Sequence, residues 1–266
     1  MTSVPDAYYL PTADPDVFLA TPSTVGPWDP GAQHGGPPAA LITRAIERLP
    51  SSVAGPSQLA RLTVEILGPV AIGEMRVTAS VVRPGRAVEL IEAELAADGR
   101  VALRARAWRI RTMGIALPEL GPISVPPPVP DQPSTFRNPA WHRGYLATVD
   151  FRFVDGHVER PGPADTWTRL RVPVVEGEEP SATQRLVAVS DSASGVSGLL
   201  PFDHWLFINI DLTLHLHRLP EGEWIYMSAR STLDPDGVGL AESELFDLHG
   251  HVGRGAQALL VGPRQR

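Results

Sequence analysis

The chain has no cysteine, which removes disulfides, thiolate nucleophiles and Cys-ligated zinc together. That absence fits a reducing compartment. Lysine is missing too, so all 23 basic residues are arginine, a bias we read as GC-rich coding rather than function. Basic charge is short overall: 30 acidic residues leave a net charge of −7. An acidic chain is poorly matched to a polyanion, so nucleic acid is not the expected partner. No apolar run approaches the ~18 residues that a membrane span requires. Met1 to Phe18 carries Asp6, Asp14 and Asp16 and no basic residue, the opposite of a signal peptide's positive start. The expectation is a soluble, cytoplasmic protein.

What is present is ordinary in bulk and uneven in detail. At 266 residues, 43% hydrophobic and 20% charged, the chain can bury one large core or two modest ones at ~150 residues per domain. Proline stands out, with 28 residues against a usual ~5%. Eight of them fall in residues 114–139, where missing backbone donors and extended neighbours exclude a helix or a central strand. We read that stretch as a linker between an N-terminal unit (1–113) and a C-terminal unit (140–266).

The two units resemble each other. Leu62 to Met75 lines up with Leu212 to Trp224, Glu94-Leu95 with Glu244-Leu245, and Ala105-Arg106-Ala107 with Ala256-Gln257-Ala258. Several matches in order at an offset that stays between 149 and 151 argue for duplication. Each half opens with a helix. In the first, Pro37 and Pro38 suit an early turn, and Leu41, Ile42, Ala45, Ile46 and Leu49 form one apolar face before Pro50. In the second, Ser181 to Gln184 is a capping-box pattern that predicts a helix to about Ser194. Strands follow: Leu62/Val64/Ile66, Met75 to Val81, and one alternating run from Ile208 to Leu216. A helix then antiparallel strands, twice, predicts an α+β fold in which curved sheets wrap two helices.

Common catalytic motifs are absent: no G-x-S-x-G, P-loop, G-x-G-x-x-G or H-E-x-x-H. His215 and His217 share a strand face and, with His204, have the chemistry for a metal. Two polar residues on a solvated strand are the favoured reading, so neither metal nor cofactor is expected. The segment His34-Gly35-Gly36 is more distinctive, because glycines at a helix start let a ligand approach the backbone.

HGGPPAAL before the first helix, GRAVELIEAEL in the strands and the duplicated plan together resemble the double-hotdog acyl-CoA thioesterases, of the acyl-CoA thioesterase II type. The similarity spans residues 8 to 262. It implies a tandem hotdog fold, acyl-CoA as substrate and lipid metabolism as the setting, with a homo-oligomer left open. It also implies a hydrolytic trio in the second hotdog. The family's Leu-Ser-Asp-Ser matches Val189 to Ser192 and supplies Asp191. Its Thr-Ile-Asp strand matches Asn209-Ile210-Asp211, with Asn209 in place of Thr. Its last-strand Gln matches Gln257. The family's Phe-Gly-Gly entry is His34-Gly35-Gly36 here.

Thioester hydrolysis needs a water held against a carbonyl carbon and a group to take its proton. Asp191, buried against sheet, is expected to gain basicity from desolvation. Asn209 and Gln257 would hold the same water, and the residues at 34–36 would bind substrate and stabilise the oxyanion. Trp205, Leu206 and Phe207 are candidates for an apolar tunnel. Arg83 and Arg86 read as solvated turn residues. Two alternatives stay open: a non-catalytic acyl-binding protein, and a hotdog hydratase or dehydratase. The last usually needs an Asp/His or Glu/His pair near the helix, and Asp191 has no His in its own helix.

Overall fold

A computed structural model of the chain describes residues 7–118 and 124–264. The first half comprises β1 (Tyr9–Pro11), β2 (Val17–Ala20), α1 (Gly36–Arg48), β3 (Ser57–Ile66), β4 (Glu74–Arg83), β5 (Val88–Ala97) and β6 (Arg100–Arg111). The second comprises α2 (Gly144–Ala147), β7 (Val149–His157), β8 (Arg160–Leu170), α3 (Ala182–Ser190), α4 (Ala193–Val196), β9 (Trp205–Asn209), β10 (Asp211–Leu216), β11 (Ile225–Leu233), β12 (Val238–Asp247) and β13 (Gly250–Pro263). No helix among the described residues is long and apolar enough to cross a membrane.

Leu41, Ile42 and Ile46 of α1 are wholly buried, each worth ~1.5–3 kcal/mol of burial. Pro37 and Pro38 occupy its first turn, where N–H groups lack intrahelical partners anyway. The α3 start shows half a capping box: Ser181 Oγ accepts from Gln184 N at 3.1 Å. The Gln184 side chain does not return to the cap but donates to Glu47 Oε2 at 2.8 Å.

The strands form one antiparallel sheet in the order β1-β2-β4-β5-β6-β3-β10-β13-β12-β11-β8-β7, with β9 also on β13. It curls around α1 and α3, and both helices belong to the same apolar core. Its centre is the β3/β10 pair, where Thr63 faces Thr213. Those residues are 150 apart in sequence, and the pairing registers repeat at that spacing. Glu94 faces Arg104 as Glu244 faces Arg254, and a register shift follows Leu95 as one follows Leu245. Leu59 faces Arg109 as Asn209 faces Leu259.

Two expectations are corrected. The run Ile208 to Leu216 is not one strand: it breaks at Ile210, and the same extra residue interrupts β3 at Ala60. Asp211 Oδ1 closes the gap by accepting from Ala258 N at 2.7 Å. The second helix does not run unbroken to Ser194. It stops at Ser190 and restarts at Ala193, because Gln257 supplies the bonds there: its Nε2 donates to Asp191 O at 3.2 Å and its Oε1 accepts from Ser194 N at 3.2 Å.

Residues 112–118 and 124–138 form no helix or strand. Their carbonyls meet the second half, Pro127 O accepting from Trp167 Nε1 at 3.0 Å and Pro130 O from Arg152 Nη1 at 2.7 Å. Residues 119–123 of the linker, and 1–6 and 265–266 at the chain ends, lie outside the described residues.

Candidate active site

The helices α1 and α3 pack antiparallel, so the start of α1 meets the end of α3. Glycine makes that approach possible. A Cβ on Gly36 would lie 2.2 Å from Ala188 O, and one on Gly35 would lie 2.8 Å from Asp191 Oδ2. Overpacking of this kind costs ~1–3 kcal/mol or more. The preceding residues are held by backbone bonds, Gln33 N to Val70 O and His34 N to Thr24 O at 2.9 and 2.8 Å. Tyr9 Oη donates to Gln33 Oε1 at 2.6 Å.

This brings the predicted residues together. Asp191, 5% exposed at the end of α3, accepts on Oδ1 from Asn209 Nδ2 at 2.7 Å and Gln257 Nε2 at 3.3 Å. Its Oδ2 lies 3.0 Å from His34 Nδ1. Asn209, Gln257 and His34 thus converge on one carboxylate from β9, β13 and the loop before α1. His34 comes from the other half of the chain, so Asp191 does have a histidine partner, in space rather than in its own helix.

The electrostatics correct the expected direction. Burial is the largest influence on Asp191 and does push its pKa up. The His34 charge and hydrogen bond, the Asn209 amide and the Gly36 N–H outweigh it, holding the carboxyl below its usual value. Asp191 is therefore a held anion with reduced basicity.

The members differ in freedom. Gln257 is 1% exposed and its amide is engaged with Asp191 and Ser194. Asn209 donates to Asp191 and, at 3.4 Å, to Asp211 O, and its Oδ1 has no protein donor among the described residues. Gly36 N–H is engaged, donating toward His34 Nδ1 at 3.1 Å beside Asp191. Pro37 and Pro38 have no N–H to offer. Gly35 N–H is thus the backbone donor left at the α1 start.

A residue without a sequence signal completes the cluster. Tyr145 of α2 stacks on the His34 ring at 3.9 Å and 18°, and its hydroxyl donates to Ala188 O at 2.8 Å. Burial holds that hydroxyl neutral, its pKa well above the usual value. A single tyrosine behind a proline-rich stretch belongs to no motif, so spacing alone did not mark it.

His34, Gly35, Asp191 and Asn209 line a cavity of ≈ 1130 Å³, at or above the ~300–1,000 Å³ of small-molecule sites. Its wall is largely apolar, with Trp28, Leu67, Phe202, Leu206 and Phe207. Trp28 packs on Phe202 at 4.3 Å and on Phe207 at 4.9 Å. Of the three tunnel candidates, Leu206 and Phe207 line the cavity and Trp205 does not. Among the described residues no group of three acidic or histidine side chains is placed to hold a metal. His217 Nε2 meets His251 Nδ1 at 3.1 Å instead.

The cavity is thus largely apolar, with a hydrogen-bonded carboxylate in its wall. The sequence matches the family model of the acyl-CoA thioesterase N-terminal domain over residues 24–110 and that of the C-terminal domain over residues 123–261. The chain belongs to the acyl-CoA thioesterase family. It is accordingly a thioester hydrolase. Its fold is shared with solved structures of low identity. One is a hot dog protein of unknown function from Alicyclobacillus acidocaldarius, with 19% identity, TM-score 0.73, and 98% of this chain and 97% of that one covered. Another is a Thermobifida fusca protein assigned as a thioesterase II, with 20% identity, TM-score 0.69, and coverage of 97% and 96%. A third is the acyl-CoA thioesterase II TesB2 of Mycobacterium marinum, with 16% identity, TM-score 0.64, and coverage of 95% and 94%. No curated protein matches the chain.

Proposed function

We propose that the chain hydrolyses an acyl-CoA thioester to free acid and CoA, using a water seated beside Asp191 and Asn209 with Gln257 behind them. The observation that carries this reading is the convergence of Asn209 and Gln257 on the Asp191 carboxylate, with Asp191 and Asn209 lining a largely apolar cavity. Asn209 Oδ1 is an acceptor for that water. Gln257, engaged on both sides of its amide, fixes the carboxylate rather than touching the water. Gly35 N–H is the donor for the developing oxyanion, and the apolar wall takes the acyl chain. The same reading places the protein in lipid metabolism, in the cytoplasm, with 1–113 and 140–266 as its two units across a 114–139 linker.

The His34–Asp191 contact is also what a hydratase would use, so the products must be identified. Purified protein incubated with acyl-CoAs of several chain lengths should release free thiol, and Asp191→Ala should abolish that release. A water adduct of an enoyl-CoA without thiol release would favour the hydratase. Binding of acyl-CoA without turnover would favour a carrier.

A further inference from the structure

We propose that His34, not Asp191, is the general base of the reaction, with Asp191 acting as the positioning residue that sets its tautomer. This inference rests on the hydrolytic reading above and deepens it.

His34 Nδ1 and Asp191 Oδ2 lie 3.0 Å apart. An ionised carboxylate is acceptor-only, so a ring nitrogen that close must present a proton. A neutral His34 with its proton on Nε2 would instead aim a lone pair at a buried anion. The stable neutral form therefore carries the proton on Nδ1. Gly36 N–H lies 3.1 Å from the same Nδ1 and would donate to it in the other tautomer, but the carboxylate at 3.0 Å carries a full charge and is the stronger partner, so it decides where the ring proton sits.

The consequence is an unprotonated Nε2. That nitrogen meets no protein donor or acceptor among the described residues, and the ring lines the cavity. Tyr145, stacked at 3.9 Å and 18°, fixes the ring plane. Asp191 has the opposite character: Asn209 and Gln257 donate to its Oδ1, and His34 lies against its Oδ2. An anion so well solvated by protein is a poor proton acceptor and a good orienter of an imidazole.

The step balances as an acyl transfer to water. His34 Nε2 takes one proton from water as the oxygen bonds to the thioester carbon, and the carbonyl π pair moves to oxygen beside Gly35 N–H. Collapse of that intermediate breaks the carbon–sulfur bond. The imidazolium returns its proton to the departing sulfur, leaving a carboxylic acid and CoA thiol.

Titratable groups against the ring are Asp191 from α3 and Tyr145 from α2. Asp29, Arg137, Glu159 and Asp203 line the same cavity. A general base works only in its unprotonated form, so the pH dependence of kcat is the readout that tells a base from a merely structural ring. The test compares the full-length protein with His34→Gln and His34→Ala in thiol release from an acyl-CoA across pH. His34→Gln should lower kcat by ~10²–10⁴-fold, leave KM within about threefold and remove the acidic limb of the profile. Added imidazole should restore part of kcat to His34→Ala. A His34→Gln protein that keeps the acidic limb and a kcat within tenfold of wild type overturns the proposal. Should the variants not fold, nitrogen NMR of the wild-type His34 ring decides: a proton on Nδ1 supports the proposal, and one on Nε2 overturns it. Thiol release that persists in His34→Gln refutes this inference alone, whereas no release by the wild type refutes the hydrolytic reading beneath it.

Discussion

The antiparallel helix pair has two ends built to the same plan, and they have been used in opposite ways. Where α1 starts and α3 finishes, Asp191 sits at the head of the cavity with Asn209, Gln257 and His34 around it. Where α3 starts and α1 finishes, the polar groups are tied to one another. Glu47 accepts from Ser181 Oγ at 2.7 Å and Gln184 Nε2 at 2.8 Å, and Arg44 grips Glu178 through two bonds of 2.6 and 2.7 Å. Arg109 reaches from β6 to Ile46 O at 2.6 Å and Leu49 O at 3.3 Å, satisfying the last carbonyls of α1. Glu89 backs it at 2.8 Å and also accepts from Ser51 and Ser52.

The paired registers show how few changes separate the two ends. Arg109 faces Leu59 in the first half, while Leu259 faces Asn209 in the second. The paired registers correct the sequence alignment here: at the 150-residue spacing, Gln257 stands where the first half has Ala107, not Arg106. Glu89 and Asp191 are both buried, and hydrogen bonds and opposite charge hold both below the usual carboxylate value against desolvation. The difference lies in their partners. Those of Glu89 are themselves structural, a helix-capping arginine and two loop serines. Those of Asp191 include an imidazole and an amide that face a cavity. A fold of this kind needs one closed helix end for stability and one open end for chemistry.

Removing the charge at the open end should have the largest effect. Asp191→Asn leaves the shape but offers His34 an amide, losing the acceptor that sets the ring tautomer. We expect kcat to fall by ~10²–10⁴-fold with the folded structure retained, read from thiol release and circular dichroism. A fall under tenfold would mean that the open end is no more chemical than the closed one.

The matching change at the closed end should cost stability and spare the chemistry. Glu89→Ala strands Arg109 inside the protein, where losing one partner of a buried pair costs ~3–5 kcal/mol. Urea denaturation should show that loss, while kcat per folded molecule stays at the wild-type value. The double variant Glu89→Met, Arg109→Leu should recover much of the stability, since replacing both partners with apolar groups is often near neutral.

What was legible in the sequence follows the same division. The α1 face, the duplicated plan and the trio at 191, 209 and 257 were readable because periodicity, repetition and a family pattern survive in the residue order. The breaks at Ile210 and after Ser190 were not. Each depends on a side chain, Asp211 or Gln257, replacing a backbone partner across tens of residues. The basicity of Asp191 is not legible for a related reason: burial can be inferred from position, but its compensation by His34 and Gly36 is a contact between the two halves. Tyr145 went unseen because stacking leaves no spacing behind it.

A smaller contrast between the halves is testable by pH. Asp247, at the β12–β13 turn, accepts from Arg218 at 2.5 and 2.6 Å, while the corresponding first-half residue is Ala97. Burial raises the Asp247 pKa, but Arg218 and the Glu221 and His249 amides prevail and lower it from 3.8 to about 2. A depressed carboxylate contributes stability that is full above the unfolded value of 3.8 and is lost as pH falls through about 2. That linkage is worth about 2 kcal/mol at neutral pH. Asp247→Ala should lower the urea midpoint at pH 7, with the difference from wild type narrowing below pH 4 or so.

The finest probe is position 209, where the second half has Asn, its first-half counterpart is Leu59, and the resembled family has Thr. Asn209→Thr exchanges an amide for a hydroxyl, which both donates and accepts, so one group can still serve Asp191 or a water, though not both with the same reach. We expect kcat/KM within about tenfold of wild type, the range of one modest hydrogen bond. Asn209→Leu copies the closed half. It removes the donor at 2.7 Å from Asp191 and the acceptor toward the cavity together, and should lower kcat/KM by about a hundredfold. It should also move the Asp191 pKa upward, because one of the groups holding it down is gone. If Thr and Leu prove equal in thiol-release kinetics, the amide only spaces the strand, and the open end depends on Asp191 and His34 alone.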